Sequence, residues 1–218
     1  MSVLAVAHRA GNSLAGLREA NALGVDVVEC DVHAYRSGLE VRHLKTAGPL
    51  PFLWDRWELV PATAPRLGLE ELLDADEHGV TFMLDLKGRG VEVGRAVATL
   101  LHERGHDRPL WVCGRHWPAV DRVAELDFVR SVLSVRNRAE LAALRRRLDG
   151  TEPPPYGVSM HASLVGPGVV EHLHRSAQVV MTWPVNDAQV LDRVLAAGVS
   201  GVISDEPAIL RDVALRRA

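Results

Sequence analysis

Short apolar runs recur along the chain, and stretches with the apolar spacing of helices separate them. The clearest runs are VVECDVH at 27–33, VTFMLDLK at 80–87 and GVIS at 201–204. Apart from a short returning segment at 39–43, eight predicted strands alternate with eight predicted helices. Near-continuous apolar strands are typical of a parallel sheet covered on both faces. This order predicts an α/β fold, a (β/α)₈ TIM barrel with short loops, and leaves a doubly wound open sheet as the alternative.

The chain length of 218 residues suits one well-cored domain, so we expect a single barrel domain over 1–218. A turn at Ser37-Gly38 leads into the returning segment, a small hairpin after the second strand. Residues 45–66 are rich in proline and are predicted to form an irregular insertion. We expect its large apolar residues to pack over the barrel, with direct lipid contact as the alternative. These residues are Leu50, Phe52, Leu53, Trp54 and Trp57.

The formal net charge is −3 and the basic residues are scattered, which does not favour a nucleic-acid partner. Cys30 and Cys113 fall in predicted strands without metal-ligand spacing, so we expect them to be small core residues. We find neither a signal-peptide pattern nor an apolar stretch of about 20 residues. The expectation is a soluble cytoplasmic protein that acts on a small molecule, with association into a homo-oligomer left open.

Two acids interrupt the apolar strand at 27–33. Side chains alternate faces along a strand, so Val27, Glu29, Asp31 and His33 share one face. Two carboxylates buried there would repel each other and lose hydration. A divalent cation is the simplest partner that keeps both ionised. The alternative is a solvated strand end that binds nothing.

Further polar residues follow the other strands at their carboxyl ends, where barrel enzymes carry their chemistry. Asp85 adds a third carboxylate, and three carboxylates with waters suit Mg²⁺ or Ca²⁺. Arg9 and Lys87 suit an anion beside that cation, and two histidines supply an acid and a base. The strand-end residues are His8, Arg9, Glu29, Asp31, His33, Asp85, Lys87, Arg115, His161, Trp183, Ser204 and Asp205, with His43 on the returning segment.

Six segments occur in the order of a known family: AHRAGNSLAGL, GVDVVECDVH, EVRH, MLDLK, TWPVND and GVSGVISDEP. With them the chain resembles the glycerophosphodiester phosphodiesterase family, within the phosphatidylinositol-phospholipase-C-like group of barrel phosphodiesterases. The resemblance implies that His8 and His43 are the catalytic pair. It also implies metal ligands at Glu29, Asp31 and Asp85, phosphate contacts at Arg9 and Lys87, and a site-lining aromatic at Trp183.

Three other residues are candidates for substrate contact on their position alone. Asn12 either faces the metal site or caps the following helix. Ser13 is the other candidate for that cap. Arg115 caps the anion or forms an ordinary salt bridge. His161 lies at a strand end. His33 lies past the acids and is expected to be a solvated loop histidine.

Three positions depart from the family pattern. Gly11 stands where the family usually has glutamate, Leu44 follows His43 where aspartate is usual, and Asp85 replaces a glutamate ligand. The Asp-Leu-Lys version also resembles the sphingomyelinase D type of phospholipase D. These departures concern the substrate class more than the type of reaction.

The function implied is metal-dependent cleavage of glycerophosphodiesters to glycerol 3-phosphate and an alcohol, with the histidines as acid and base. The family resemblance also implies attack by the substrate's own neighbouring hydroxyl, with water opening a cyclic phosphate. One alternative is a phospholipase D-like lyase on lysophospholipids that releases the cyclic phosphate. A second is a non-catalytic barrel that binds phosphate esters.

Overall fold

The computed structural model describes residues 3–35, 38–46, 50–55 and 58–216. Ser37 and Trp57 lie outside these residues. The described strands are β1 Leu4–Ala7, β2 Val27–Tyr35, β3 Gly38–Val41, β4 Lys45–Thr46, β5 Phe52–Asp55, β6 Glu58–Pro61, β7 Leu67–Gly68, β8 Thr81–Leu86, β9 Leu110–Gly114, β10 Val129–Val135, β11 Gly157–His161, β12 Val179–Trp183 and β13 Gly201–Ser204.

Eight of these strands form a closed parallel barrel. Their order is β1-β13-β12-β11-β10-β9-β8-β2, and β1 also pairs with β2, which closes the sheet. The predicted (β/α)₈ barrel is therefore confirmed, and the open-sheet alternative is wrong.

Helices follow the barrel strands around the outside. They are α1 Leu14–Leu23, α2 Leu69–Asp74, α3 Glu92–Glu103, α4 Trp117–Val123, α5 Arg138–Leu148, α6 Pro167–His174, α7 Ala188–Ala196 and α8 Pro207–Leu215, with short 3₁₀ turns at Ala10–Asn12 and Ala162–Leu164. Among the described helices, none has both the length and the apolar character needed to cross a membrane.

Alternation along the strands divides the core into two parts. One part fills the barrel interior and includes Val27, Met83, Trp111 and Cys113. The opposite strand faces, Cys30 among them, pack against the helices. Both cysteines are buried and unpaired, as expected of small core residues. Val27 and Cys30 thus lie on opposite faces of β2, as the alternation of side chains along a strand predicts.

The segment after β2 is more regular than its prolines suggest. Strand β3 extends the sheet antiparallel to β2, and β7 pairs with β3. Strands β4, β5 and β6 form a separate antiparallel sheet. The prediction of an irregular segment at 45–66 is thus wrong for residues 45–46, 52–55 and 58–61, whereas residues 50–51 and 62–66 form neither strand nor helix. Cross-strand pairing, such as Trp54 with Leu59, stabilises this sheet and is not visible in local composition.

Candidate active site

Three carboxylates meet at the carboxyl end of β2 and β8. These strands are parallel neighbours, with Asp31 directly beside Asp85. One oxygen from each of Glu29, Asp31 and Asp85 lies within 4.8 Å of the others. Glu29 and Asp31 are buried, whereas Asp85 is half-buried. The strand register therefore brings together the acids that the sequence singled out.

Asn12 holds Asp31 from two directions. Its Nδ2 donates to Oδ2 of Asp31 over 2.7 Å, and its Oδ1 accepts from the Asp31 backbone N–H over 2.8 Å. The cap of α1 is instead Ser13, whose side chain accepts from the Gly16 N–H. Asn12 thus serves the carboxylate group, because the Ala10–Asn12 turn packs directly on β2.

That close packing requires a glycine at position 11. A Cβ placed on Gly11 would lie 2.8 Å from the Cβ of Cys30, a distance that real Cβ atoms essentially never show. The departure at Gly11 therefore has a local cause, since no side chain fits between this turn and β2.

Arg9 and Lys87 bring positive charge to the same group. The backbone N–H of Arg9 donates to Oε2 of Glu29 over 2.6 Å, from a left-handed conformation with φ of 57°. Such a conformation is strained for a non-glycine residue and is characteristic of functional sites. The Nζ of Lys87 lies 2.5 Å from Oδ1 of Asp31 and also pairs with Asp85.

The charges of this cluster are strongly coupled. Burial and the charge of Asp31 raise the pKa of Glu29 to about 8. Burial likewise raises the pKa of Asp85. Burial also acts to raise the pKa of Asp31, but the Lys87 ammonium and hydrogen bonds from Lys87 and Asn12 outweigh it and hold that pKa below its usual value. The three carboxylates thus favour an added positive charge.

His8 faces this group from the end of β1. Its Nδ1 lies 2.8 Å from Oδ1 of Asp205, and the other oxygen of Asp205 accepts from Nδ2 of Asn186 over 3.1 Å. Burial lowers the pKa of His8, but the hydrogen bond to Asp205 and the charges of Glu29 and Asp205 raise it more, so the net pKa lies above 6.5. Asp205 thereby orients the ring and favours its charged form.

His43 approaches from the side of β3. The Arg42 N–H donates to the carbonyl oxygen of Asp31 over 3.0 Å, which places His43 beside the carboxylates. Nδ1 of His43 lies 2.5 Å from Oδ2 of Asp55, on β5. A carboxylate therefore stands next to this histidine although Leu44 follows it in the chain.

The remaining candidates lie farther out. Arg115 forms an ion pair with Glu140 on α5, so the structure joins it to that helix rather than to the carboxylate group. Nδ1 of His161 contacts Oγ of Ser163 over 2.8 Å. Its ring meets Trp183 edge-on at a centroid distance of 5.3 Å, so these two candidates adjoin.

His33 does not behave as the solvated loop histidine that the sequence suggests. It lies within β2 and is half-buried. Burial and the charge of Arg42 lower its pKa to about 4. The strand runs two residues further than predicted, which carries His33 into the sheet.

The sequence pattern gives no catalytic role to two acids that lie next to the histidines. It marks Asp205 only as a strand-end residue and Asp55 only as part of the segment at 45–66. The contact of Asp205 spans 197 positions in the chain and depends on barrel closure. Asp55 depends on the insertion folding back as a sheet. No local signal marks either contact.

The donor set fits a hard divalent cation. Carboxylate oxygens are the preferred ligands of Mg²⁺ and Ca²⁺, and the three oxygens lie close enough to share one ion. Burying like charges together is costly without such a partner. The residues present therefore suit a metal, with Lys87 as the neighbouring cation.

Comparison with known proteins agrees with this architecture. The sequence profile of the glycerophosphoryl diester phosphodiesterase family matches residues 179–208, from β12 into the start of α8. The chain resembles this family. The match confirms the resemblance that the sequence motifs indicate, and it falls on the segment that carries Trp183, Asn186 and Asp205. No curated protein matches the chain.

Solved structures of phosphodiesterases share the fold along the whole chain. A phosphodiesterase from Oleispira antarctica, in complex with the product sn-glycerol-3-phosphate, superposes with a TM-score of 0.75 at 19% identity, covering 98% of this chain and 96% of its own. A glycerophosphodiester phosphodiesterase from Thermotoga maritima gives a TM-score of 0.74 at 16% identity, covering 99% of each chain. At these identities the likeness establishes the fold.

Proposed function

We propose that this protein is a metal-dependent phosphodiesterase that cleaves glycerophosphodiesters to glycerol 3-phosphate and an alcohol. One observation carries the proposal. Three carboxylates converge at the barrel mouth, and the two histidines beside them each contact a further acid, Asp205 for His8 and Asp55 for His43. The family profile and the phosphodiesterase structures support the same activity.

Glu29, Asp31 and Asp85 would hold the cation, which we propose to be Mg²⁺ or Ca²⁺. When bound, the cation would stabilise the charge that develops on the phosphate oxygens. Asn12 would keep Asp31 oriented for this task, since its two hydrogen bonds fix both the side chain and the backbone of that residue.

The histidines would carry the proton transfers. We assign His8 as the base that deprotonates the attacking hydroxyl, which by the family resemblance is the substrate's own neighbouring group. His43 is then the acid that protonates the leaving oxygen. In both rings Nδ1 is engaged by a carboxylate, which leaves Nε2 to act on the substrate. A positioned acid or base contributes about 10²–10⁴ in rate.

Arg9 and Lys87 would bind the phosphate anion. Nε of Arg9 lies 3.9 Å from Oδ2 of Asp31, and Nζ of Lys87 lies 2.5 Å from its Oδ1, so both cations border the proposed cation site. Trp183 and His161, whose rings meet edge-on, would form an adjoining wall of the substrate site. We propose Asn12, Arg115 and His161 as further binding residues, with Arg115 acting only if its ion pair with Glu140 opens.

The test is turnover of glycerophosphocholine followed by phosphorus NMR, after EDTA and after Mg²⁺ or Ca²⁺ is restored. We expect no product after EDTA and metal-restored release of glycerol 3-phosphate. Accumulation of a cyclic phosphate would indicate the lyase alternative. Turnover that survives complete metal removal would contradict the proposal.

Variants assign the roles within the same assay. We expect His8→Ala and His43→Ala each to lower kcat by about 10²-fold or more. His78→Ala is the matched control, because His78 is exposed in the loop before β8, at the opposite end of the barrel. A folded His8 or His43 variant with turnover like that of the control would refute its assignment.

A further inference from the structure

The β4–β6 sheet has one buried and one exposed face. On β5, Leu53 is 1% exposed, whereas its neighbours Phe52 and Trp54 are 40% and 42% exposed. The register places Leu59 opposite Trp54 and Pro61 opposite Phe52, so all four share one side. We call this side, with Lys45 opposite Trp54, the outer face.

The outer face concentrates the exposed apolar surface of the protein. Five large hydrophobic residues are exposed in the described part of the chain, and three of them lie on the outer face: Phe52, Trp54 and Leu59. Leu50 lies two residues before β5, and Leu215 lies at the end of α8. At about 200 Å² for a whole side chain, the exposed fractions of the three leave on the order of 300 Å². Patches of this size on monomers are often functional.

Strand β5 links this patch to the candidate active site. Asp55 alternates with Trp54, so it points to the opposite side, where its Oδ2 contacts Nδ1 of His43. The outer face therefore points away from His43, and the sheet that carries it borders the candidate active site with its opposite side.

The residues of the outer face favour an anionic lipid surface over a second copy of the chain as the binding partner. Among its described residues only Lys45 is charged, and its Nζ lies 5.4 Å from the centre of the Trp54 ring. Tryptophan and lysine with exposed apolar side chains are typical of the boundary between water and lipid, where the ammonium reaches anionic headgroups. A second copy of the chain fits less well, since a stable interface needs about 800 Å² from each partner.

We propose that the outer face docks onto an anionic lipid surface and so holds the candidate active site near phosphodiesters carried in that surface. This inference rests on the proposed phosphodiesterase activity for its substrate and on the exposed sheet for the docking.

The experiment separates docking from chemistry. Docking is measured by co-sedimentation with vesicles of phosphatidylcholine alone and of phosphatidylcholine mixed with phosphatidylglycerol. Chemistry is measured as turnover of glycerophosphocholine, which is soluble, and of lysophosphatidylcholine carried in the mixed vesicles. The variants are Leu59→Ser and Phe52→Ser, and Leu215→Ser is the matched control because it removes an exposed leucine away from the sheet.

We expect the wild type to bind the mixed vesicles more tightly than the neutral ones. Each outer-face variant should weaken that binding about five- to tenfold and lower turnover of the vesicle substrate, without changing turnover of glycerophosphocholine. Leu215→Ser should behave as wild type in every assay.

Absence of vesicle binding by the wild type, or equal binding by Leu59→Ser, would overturn the docking. A concentration-dependent dimer that Leu59→Ser abolishes would overturn it in favour of a second copy. If no phosphodiester is cleaved while the mixed vesicles still bind, the proposed function and the substrate assignment fail and the docking surface stands.

Discussion

Replacing Asp205 with asparagine removes the negative charge that faces His8 while keeping the size of the side chain. In the wild type, Oδ1 of Asp205 lies 2.8 Å from Nδ1 of His8. A hydrogen bond to a charged group contributes about 1.5–3 kcal/mol. Because the Asp205 side chain is 39% exposed, water screens part of this energy, and we take about 1–2 kcal/mol as the loss. This corresponds to a fall in kcat of about five- to thirtyfold.

The same variant should also shift the pH profile. Burial lowers the pKa of His8, but its hydrogen bond to Asp205 and the nearby carboxylate charges outweigh burial and raise the net value above 6.5. A base is active when it is neutral, so the rate rises as the pH increases through that pKa. Removal of the Asp205 charge lowers the pKa, and the acid limb of kcat/KM should move to lower pH.

Initial rates on glycerophosphocholine, measured across pH with the metal-loaded protein, check both effects. Asp192→Asn is the matched control, since it removes an exposed acid that pairs with Arg216 away from the site. A folded Asp205→Asn protein with wild-type kcat and an unmoved acid limb would refute the positioning role of Asp205. A shift of the alkaline limb instead would exchange the roles of the two histidines.

Three further predictions concern stability. Gly11→Ala should lower the free energy of unfolding by about 1–3 kcal/mol in urea titrations, because the new carbon would lie 2.8 Å from the Cβ of Cys30; an unchanged midpoint would contradict the close packing of that turn. Gly94→Ala should be destabilising by a similar amount, because its carbon would lie 2.3 Å from the carbonyl oxygen of Ala119; a gain of about 1 kcal/mol, as helix propensity alone predicts, would show that α3 and α4 do not touch there. The metal-free protein should lose stability as the pH rises from 4.5 to about 8, because the folded state keeps a proton on Glu29 that the unfolded state releases. Calorimetry across this range should show that the free energy of unfolding depends less on pH in Glu29→Gln than in the wild type, and that Mg²⁺ restores the stability of the wild type. An equal pH dependence in the wild type and the variant would argue against the raised pKa of Glu29.

Much of the fold and the acidic part of the site follow from the sequence. The alternation of apolar runs and helical stretches predicts the barrel, because parallel strands covered on both faces are apolar throughout. The period of two along β2 places Glu29 and Asp31 together. The rule that barrel chemistry lies at the carboxyl ends of strands adds His8, Asp85 and Lys87. These inferences need only local geometry and one topological rule.

The tertiary structure decided how these groups are paired. Asp205 reaches His8 because β13 and β1 are neighbours in the closed barrel. Asp55 reaches His43 because the insertion folds into an antiparallel sheet, whose pairing depends on contacts between strands rather than on the propensity of each. The two faces of β5, one toward the site and one toward solvent, arise in the same way. Local sequence determined which groups are present, and long-range strand pairing determined which of them meet.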